Sequence, residues 1–62
     1  MLRIRSARLA RGWNQTQLAY FAGMTQGEVS RIETGRVQPY RGQIRRLASA
    51  LGLEPAHLLD EV

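Results

Sequence analysis

The polar side chains between residues 26 and 34 have types and spacing that could read another molecule. At 100° per residue, one helical side lies opposite the apolar Val29 and Ile32 and carries Gln26, Gly27, Ser30, Arg31 and Thr34. A glutamine amide can pair with adenine through two hydrogen bonds, and a guanidinium can pair with guanine in the same way. This face is therefore either an ordinary solvated surface or one that contacts base edges.

The sequence contains no set of residues that could carry out catalysis. Ser30 lies near Glu33 in the sequence and His57 is far away, which does not amount to a nucleophile with its base. The chain has no cysteine, and a single histidine cannot hold a metal ion by itself. We expect no enzyme activity, no metal, no cofactor and no small-molecule substrate.

The distribution of charge indicates a polyanionic partner. All nine basic residues are arginines that precede Gly52. Two of the five acids lie among them and three follow Gly52, so residues 1–53 carry a formal charge of +7 and residues 54–62 carry −3. The alternative is an arginine-rich composition on solvated helix faces, which is our interpretation of Arg45 and Arg46.

Glycines divide the 62 residues into short stretches with helical spacing. Gly12, Gly23, Gly35 and Gly52 each follow such a stretch. They predict helices over about 2–11, 15–22, 26–34 and 40–50, and Pro55 opens a fifth. No strand pattern is present. We therefore predict one all-α domain over residues 1–62, a compact five-helix bundle.

Local capping signals mark the starts of the second and third segments but are weak at the fourth. Asn14 is an N-cap, and Thr25 with Glu28 three residues later forms a capping box. The tight turn at Gly23 makes the two helices cross steeply, as in a helix-turn-helix. Tyr40 is a poor cap and Gly42 follows it, so the fourth helix is expected to begin late.

Two stretches of the chain resemble the Xre/Cro family of phage-repressor-type helix-turn-helix proteins. The first is GWNQTQLAYFAGMTQGEVSRIETGRVQP and the second is IRRLASALGLEPAHLL. The resemblance implies a lambda-repressor-like fold whose third helix enters the DNA major groove. It also implies a homodimer that binds a palindromic operator, and hence a sequence-specific transcriptional regulator acting as a repressor.

The resemblance also implies roles for individual residues. Those that match base-contacting positions are Gln26, Gly27, Ser30 and Arg31. Those that match or flank phosphate-contacting positions are Asn14, Gln15, Thr25, Thr34, Arg36 and Arg41. Arg8 and Glu33 match a structural ion pair. The sequence departs from the family pattern in four places. Gly27 has no side chain, and Glu28 is acidic near the phosphate track, where it costs affinity unless it acts as a cap. Tyr40 stands where a small capping residue is usual, and Glu54 stands where a Ser or Asp cap is common.

Apolar residues near the end of the chain form a candidate dimer surface, or else belong to the core: Leu53, Leu58, Leu59 and Val62. Tyr20 and Phe21 are adjacent, so one of them must lie at the surface. A second interpretation of the chain is a protein-interaction module or the antitoxin of a toxin–antitoxin pair. No apolar run is long enough to span a bilayer, and we expect a cytoplasmic protein that associates with the nucleoid when it binds DNA.

Overall fold

Four α-helices and one short 3-10 turn make up the structure. The computed structural model describes residues 1–62 and contains α1 (Arg3–Ala10), α2 (Gln15–Ala22), α3 (Gln26–Glu33), α4 (Arg41–Leu51) and the turn Pro55–His57. The only pairing of extended backbone is a single bridge between Leu2 and Glu61. The prediction of an all-helical fold is confirmed.

The prediction of a fifth helix is wrong, because the segment that begins at Pro55 makes only a three-residue turn. The carbonyl groups that a longer helix would use are bonded elsewhere. The Leu58 carbonyl accepts from the N–H of Ile4 at 3.0 Å, and the Asp60 carbonyl accepts from the N–H of Arg3 at 2.7 Å. These bonds supply partners for the unpaired N–H groups at the start of α1.

The N-cap predicted at Asn14 and the capping box predicted at Thr25 and Glu28 both form, and Asn14 also makes a capping box with Gln17. The Asn14 Oδ1 accepts from the Gln17 N–H at 2.8 Å, and the Gln17 Oε1 accepts from the Asn14 N–H at 2.9 Å. Thr25 and Glu28 make the equivalent pair of bonds at 3.2 and 2.9 Å. Each box satisfies two backbone donors at a helix start, which sets where α2 and α3 begin.

The start of α4 differs from the expectation. This helix begins at Arg41, directly after Tyr40, rather than late. The Tyr40 N–H donates to the Gln43 Oε1 at 3.1 Å, so a glutamine three residues on satisfies the first donor. The Tyr40 ring packs over Gly42. A Cβ at residue 42 would lie 3.3 Å from the Tyr40 Cε2 atom, so the glycine leaves room for the ring.

The core takes at least one large side chain from each helix and one from the C-terminal segment. The fully buried set is Ile4, Leu18, Val29, Ile32, Leu47 and Leu58. Ala19 and Ala22 of α2 are buried as well, and their small size allows neighbouring helices to approach α2 closely. A set of this size buries little apolar area, so we expect a modest stability.

Leu58 therefore has to be removed from the predicted dimer surface. Its side chain is fully buried because the bond from Ile4 holds this segment against α1. Leu53 and Leu59 are partly buried against the core, and Val62 is exposed.

No helix of this structure combines the length and the apolar character that crossing a membrane requires.

Candidate nucleic-acid interface

A three-residue connection, Gly23–Thr25, joins α2 to α3. Gly23 adopts a left-handed conformation with φ of 67°, which glycine enters without the penalty that a Cβ imposes. The Met24 N–H then donates to the Ala19 carbonyl at 2.8 Å. This arrangement closes the end of α2 and directs the chain into α3 within three residues.

The outer face of α3 carries the residues that the sequence singled out. Val29 and Ile32 are buried, whereas Gln26, Arg31 and Thr34 are exposed. Gly27 and Ser30 lie on the same outer face and are half-buried. The predicted division of this helix into an apolar and a polar side is confirmed.

Hydrogen bonds between side chains connect the first residues of α2 and α3. The Gln26 Nε2 donates to the Gln15 Oε1 at 2.7 Å, and the Gln15 Nε2 donates to the Glu33 Oε1 at 3.1 Å. Gln15 therefore bridges the two ends of α3. This link was missed at the level of sequence, where the repeated N-cap–Gln pairs Asn14-Gln15 and Thr25-Gln26 were its only visible signal.

The Arg8–Glu33 ion pair is present and continues this network. The Arg8 Nε donates to the Glu33 Oε2 at 2.7 Å and its Nη2 donates to the Glu33 Oε1 at 3.1 Å. The Arg8 Nη1 also donates to the Trp13 carbonyl at 2.7 Å. The side chains are 8% and 2% exposed, so α1 holds the end of α3 through a desolvated, two-pronged contact.

Glu28 caps the start of α3, as the capping box in the sequence predicted. Its carboxylate accepts from the N–H and the hydroxyl of Thr25, and also from the Gln43 Nε2 at 3.3 Å. The backbone hydrogen bond from Thr25 lowers the pKa of this carboxyl most, followed by the bond from the Thr25 hydroxyl. The negative charge of Glu28 therefore accepts hydrogen bonds within the protein, from Thr25 at the start of α3 and from Gln43.

Comparisons with known proteins agree with this geometry. A family described as the helix-turn-helix domain matches residues 2–62. The chain belongs to the helix-turn-helix domain family. Its resemblance to the Xre/Cro type is confirmed by the solved structures that it matches.

Two solved structures resemble this helix-turn-helix domain along almost its whole length. The restriction-modification controller protein C.AhdI from Aeromonas hydrophila is 35% identical, with a TM-score of 0.84, and the match covers 92% of this chain and 86% of that one. The P22 c2 repressor, solved with synthetic operator 9T, is 28% identical, with a TM-score of 0.88 and coverage of 94% and 88%.

A curated relative is similar over part of its length. The uncharacterized HTH-type transcriptional regulator y4dL of Sinorhizobium fredii is 39% identical over 51 residues, which is 82% of this chain. The chain spans only about a quarter (26%) of that relative.

The starts of the two central helices of the helix-turn-helix domain present free donors. The N–H groups of Gln15 and Thr16 make no hydrogen bond within the protein, and the same holds for Gln26 and Gly27. Free N–H groups at a helix start carry the positive end of the helix dipole and favour anions. Two donor sites of this kind lie next to the polar face of α3.

The candidate phosphate ligands differ in how exposed they are. Asn14, Thr25, Thr34, Arg36 and Arg41 are exposed, whereas Gln15 is half-buried and already bonded to two side chains. The Thr34 hydroxyl donates back to the Ser30 carbonyl at 2.8 Å. Neither Arg36 nor Arg41 forms a salt bridge, so both guanidinium groups are available to an external anion.

Proposed function

We propose that this domain binds double-stranded DNA in a sequence-specific manner and acts as a transcriptional regulator, most simply a repressor. The observation that carries the proposal is the polar outer face of α3, which two side-chain bridges brace against α1 and α2. A helix that reads base edges must hold its position to within a fraction of an ångström, and such bracing supplies this. The repressor and controller proteins among the similar structures support the same conclusion.

In this proposal Gln26 and Arg31 read base edges. One Nε2 hydrogen of Gln26 is donated to Gln15, which leaves the second hydrogen and the Oε1 free. Those two groups are the ones that pair with adenine N7 and N6. The exposed guanidinium of Arg31 would pair with guanine, while Ser30 and the bare backbone of Gly27 would contact the groove at shorter range.

The phosphate contacts would position α3 without reading sequence. The free N–H groups at the starts of α2 and α3 would bind phosphates of the DNA backbone, with Asn14, Gln15 and Thr25 beside them. Arg36 and Arg41 would bind phosphates beyond the end of α3, and Thr34 would do so from its last turn. The two acids among the basic residues, Glu28 and Glu33, are both hydrogen-bonded inside the protein and oppose this contact little.

We further propose that two copies bind a palindromic operator, with Leu53, Leu59 and Val62 at their contact. Partly exposed apolar side chains at the end of the chain support this choice. Two-fold symmetry in the protein requires an inverted repeat in the DNA, with half-sites about one helical turn apart.

Selection from random duplexes at several salt concentrations tests the proposal. Binding should weaken log-linearly with salt, with a slope of about −0.9 for each neutralised phosphate. The retained DNA should contain an inverted repeat. Binding without any enriched sequence would reject base reading by Gln26 and Arg31, and no binding at low salt would reject DNA as the partner.

A further inference from the structure

An aromatic cluster stands at the surface where α2 ends. Tyr20 is 79% exposed and Phe21 is 56% exposed, so both lie at the surface, where the sequence required only one of them to be. The Phe21 ring stacks on Trp13 with centroids 4.6 Å apart, and the Tyr20 ring meets it edge-on at 5.3 Å. The core does not need these contacts, because Leu18, Ala19 and Ala22 provide the buried face of α2.

A groove runs from this cluster to the outer side of α4. Its volume is about 400 Å³, and its lining combines the Phe21 ring, Ala22 and Ala50 with the polar Ser49. Gly23, Arg45 and Arg46 complete the lining. The groove is open and has room for one or two bulky apolar side chains.

Unpaired positive charge lines the α4 side of the groove. Arg45 and Arg46 are exposed and form no salt bridge. No acidic side chain lines the groove. Guanidinium groups bind carboxylates well, since they can donate two parallel hydrogen bonds to the two carboxylate oxygens.

We propose that this groove binds an acidic segment of another protein, with one leucine or aromatic side chain of that segment seated between Phe21 and Ala50. The apolar lining supplies the seat, and Arg45 and Arg46 supply complementary charge. The inference depends only on the groove and not on the proposed function of α3.

A second copy of this chain fits the groove less well. A two-fold contact through the groove would bring Arg45 and Arg46 of both copies together without an acid between them. The acidic end of a second copy is mostly engaged, because Asp60 bonds His57 and Glu61 bonds the N-terminal amine.

DNA is also a poorer occupant than an acidic protein segment. Phe21 lies about 9 Å along α2 from Gln15, at the end of the helix away from the free N–H groups of Gln15 and Thr16. An apolar seat adds nothing to the binding of phosphates in a duplex.

Phage-displayed random peptides of about twelve residues provide the probe. Selection on the folded domain should enrich peptides that combine several Asp or Glu residues with one Leu, Phe or Trp. Titration of a selected peptide should change the fluorescence of Trp13, the only tryptophan. Selection that yields no such peptides would overturn the proposal.

Two variants and a matched control locate the binding. Phe21→Ser removes the seat and Arg45→Glu reverses a bordering charge, and each should weaken peptide binding by about tenfold or more. Arg5→Glu makes the same charge change on an exposed part of α1 and should leave the affinity within about twofold. Circular dichroism melting checks that each variant folds.

Three results would reject the proposal. Equal weakening by Arg5→Glu and Arg45→Glu would mean that only net charge attracts the peptide. A greater loss of DNA affinity in Arg45→Glu than in Arg5→Glu would place duplex DNA against the groove. A concentration-dependent dimer that disappears in Phe21→Ser would make a second copy the occupant.

Discussion

The guanidinium of Arg31 lies directly over Gly27, one helical turn before it on the outer face of α3. A Cβ at residue 27 would stand 3.3 Å from the Arg31 Nη1 and 3.8 Å from its Nη2. The glycine that looked like a missing contact in the sequence therefore leaves space for the arginine to fold back along the helix. Gly27 and Arg31 act together at the face proposed to read DNA.

Gly27→Ala should stabilise the fold and alter base preference. Gly27 has ordinary helical backbone angles, so alanine gains about 1 kcal/mol of helix propensity. The new methyl group pushes the Arg31 side chain outward by a few tenths of an ångström. Thermal melting should show a higher Tm, and selection from random duplexes should show a changed preference at one base pair. An unchanged preference would mean that Gly27 does not position Arg31.

Arg31→Ala should reduce the affinity for the selected operator by about 1–3 kcal/mol and relax specificity at one position. A bidentate contact with one base is lost, while the phosphate contacts remain. Binding isotherms on the operator and on its single-base variants measure both effects. Arg45→Ala, an exposed arginine on α4, is the matched control. Equal losses on every duplex would identify Arg31 as a phosphate ligand instead.

Glu33→Ala should destabilise the domain by about 3–5 kcal/mol, because it leaves the buried Arg8 guanidinium without its counter-charge. The Gln15 Nε2 loses an acceptor in the same change. Urea denaturation followed by circular dichroism measures the loss, and the exposed Glu54→Ala serves as control. The double variant Arg8→Met, Glu33→Leu should recover most of it, since no charge is then buried. A single variant as stable as the control would show that the pair is solvated in solution.

Acid should weaken the start of α3 through Glu28. The hydrogen bonds from Thr25 lower the pKa of this carboxyl below its ordinary value of 4.5. A group whose pKa is lower when folded stabilises the native state above its unfolded pKa, and this contribution disappears as the pH falls through the folded pKa. The Tm difference between the protein and Glu28→Gln should be constant near neutrality and shrink at pH values below 4.5. A difference that is independent of pH would exclude the ionised carboxylate as its source.

The sequence by itself determined the helix-turn-helix unit. α2 has the predicted bounds, α3 begins at the predicted residue, and the predicted N-cap of α2 and capping box of α3 are formed. The division of α3 into a buried and a polar side also follows from residue types alone. All of these features depend on interactions within about four residues along the chain, and residue types at fixed spacing encode such interactions directly.

Only the tertiary structure decided what the remaining segments do. Leu58 is a core residue, and a turn stands where a fifth helix was predicted. The reason is that N–H groups at the start of α1 donate to the carbonyl groups of Leu58 and Asp60. The bridge from Gln26 through Gln15 to Glu33 joins residues 11 and 18 positions apart. The groove beside Phe21 exists only because α2 and α4 lie next to each other. Contacts between distant residues depend on how the helices pack, and that packing minimises the free energy of the whole chain rather than of any one segment.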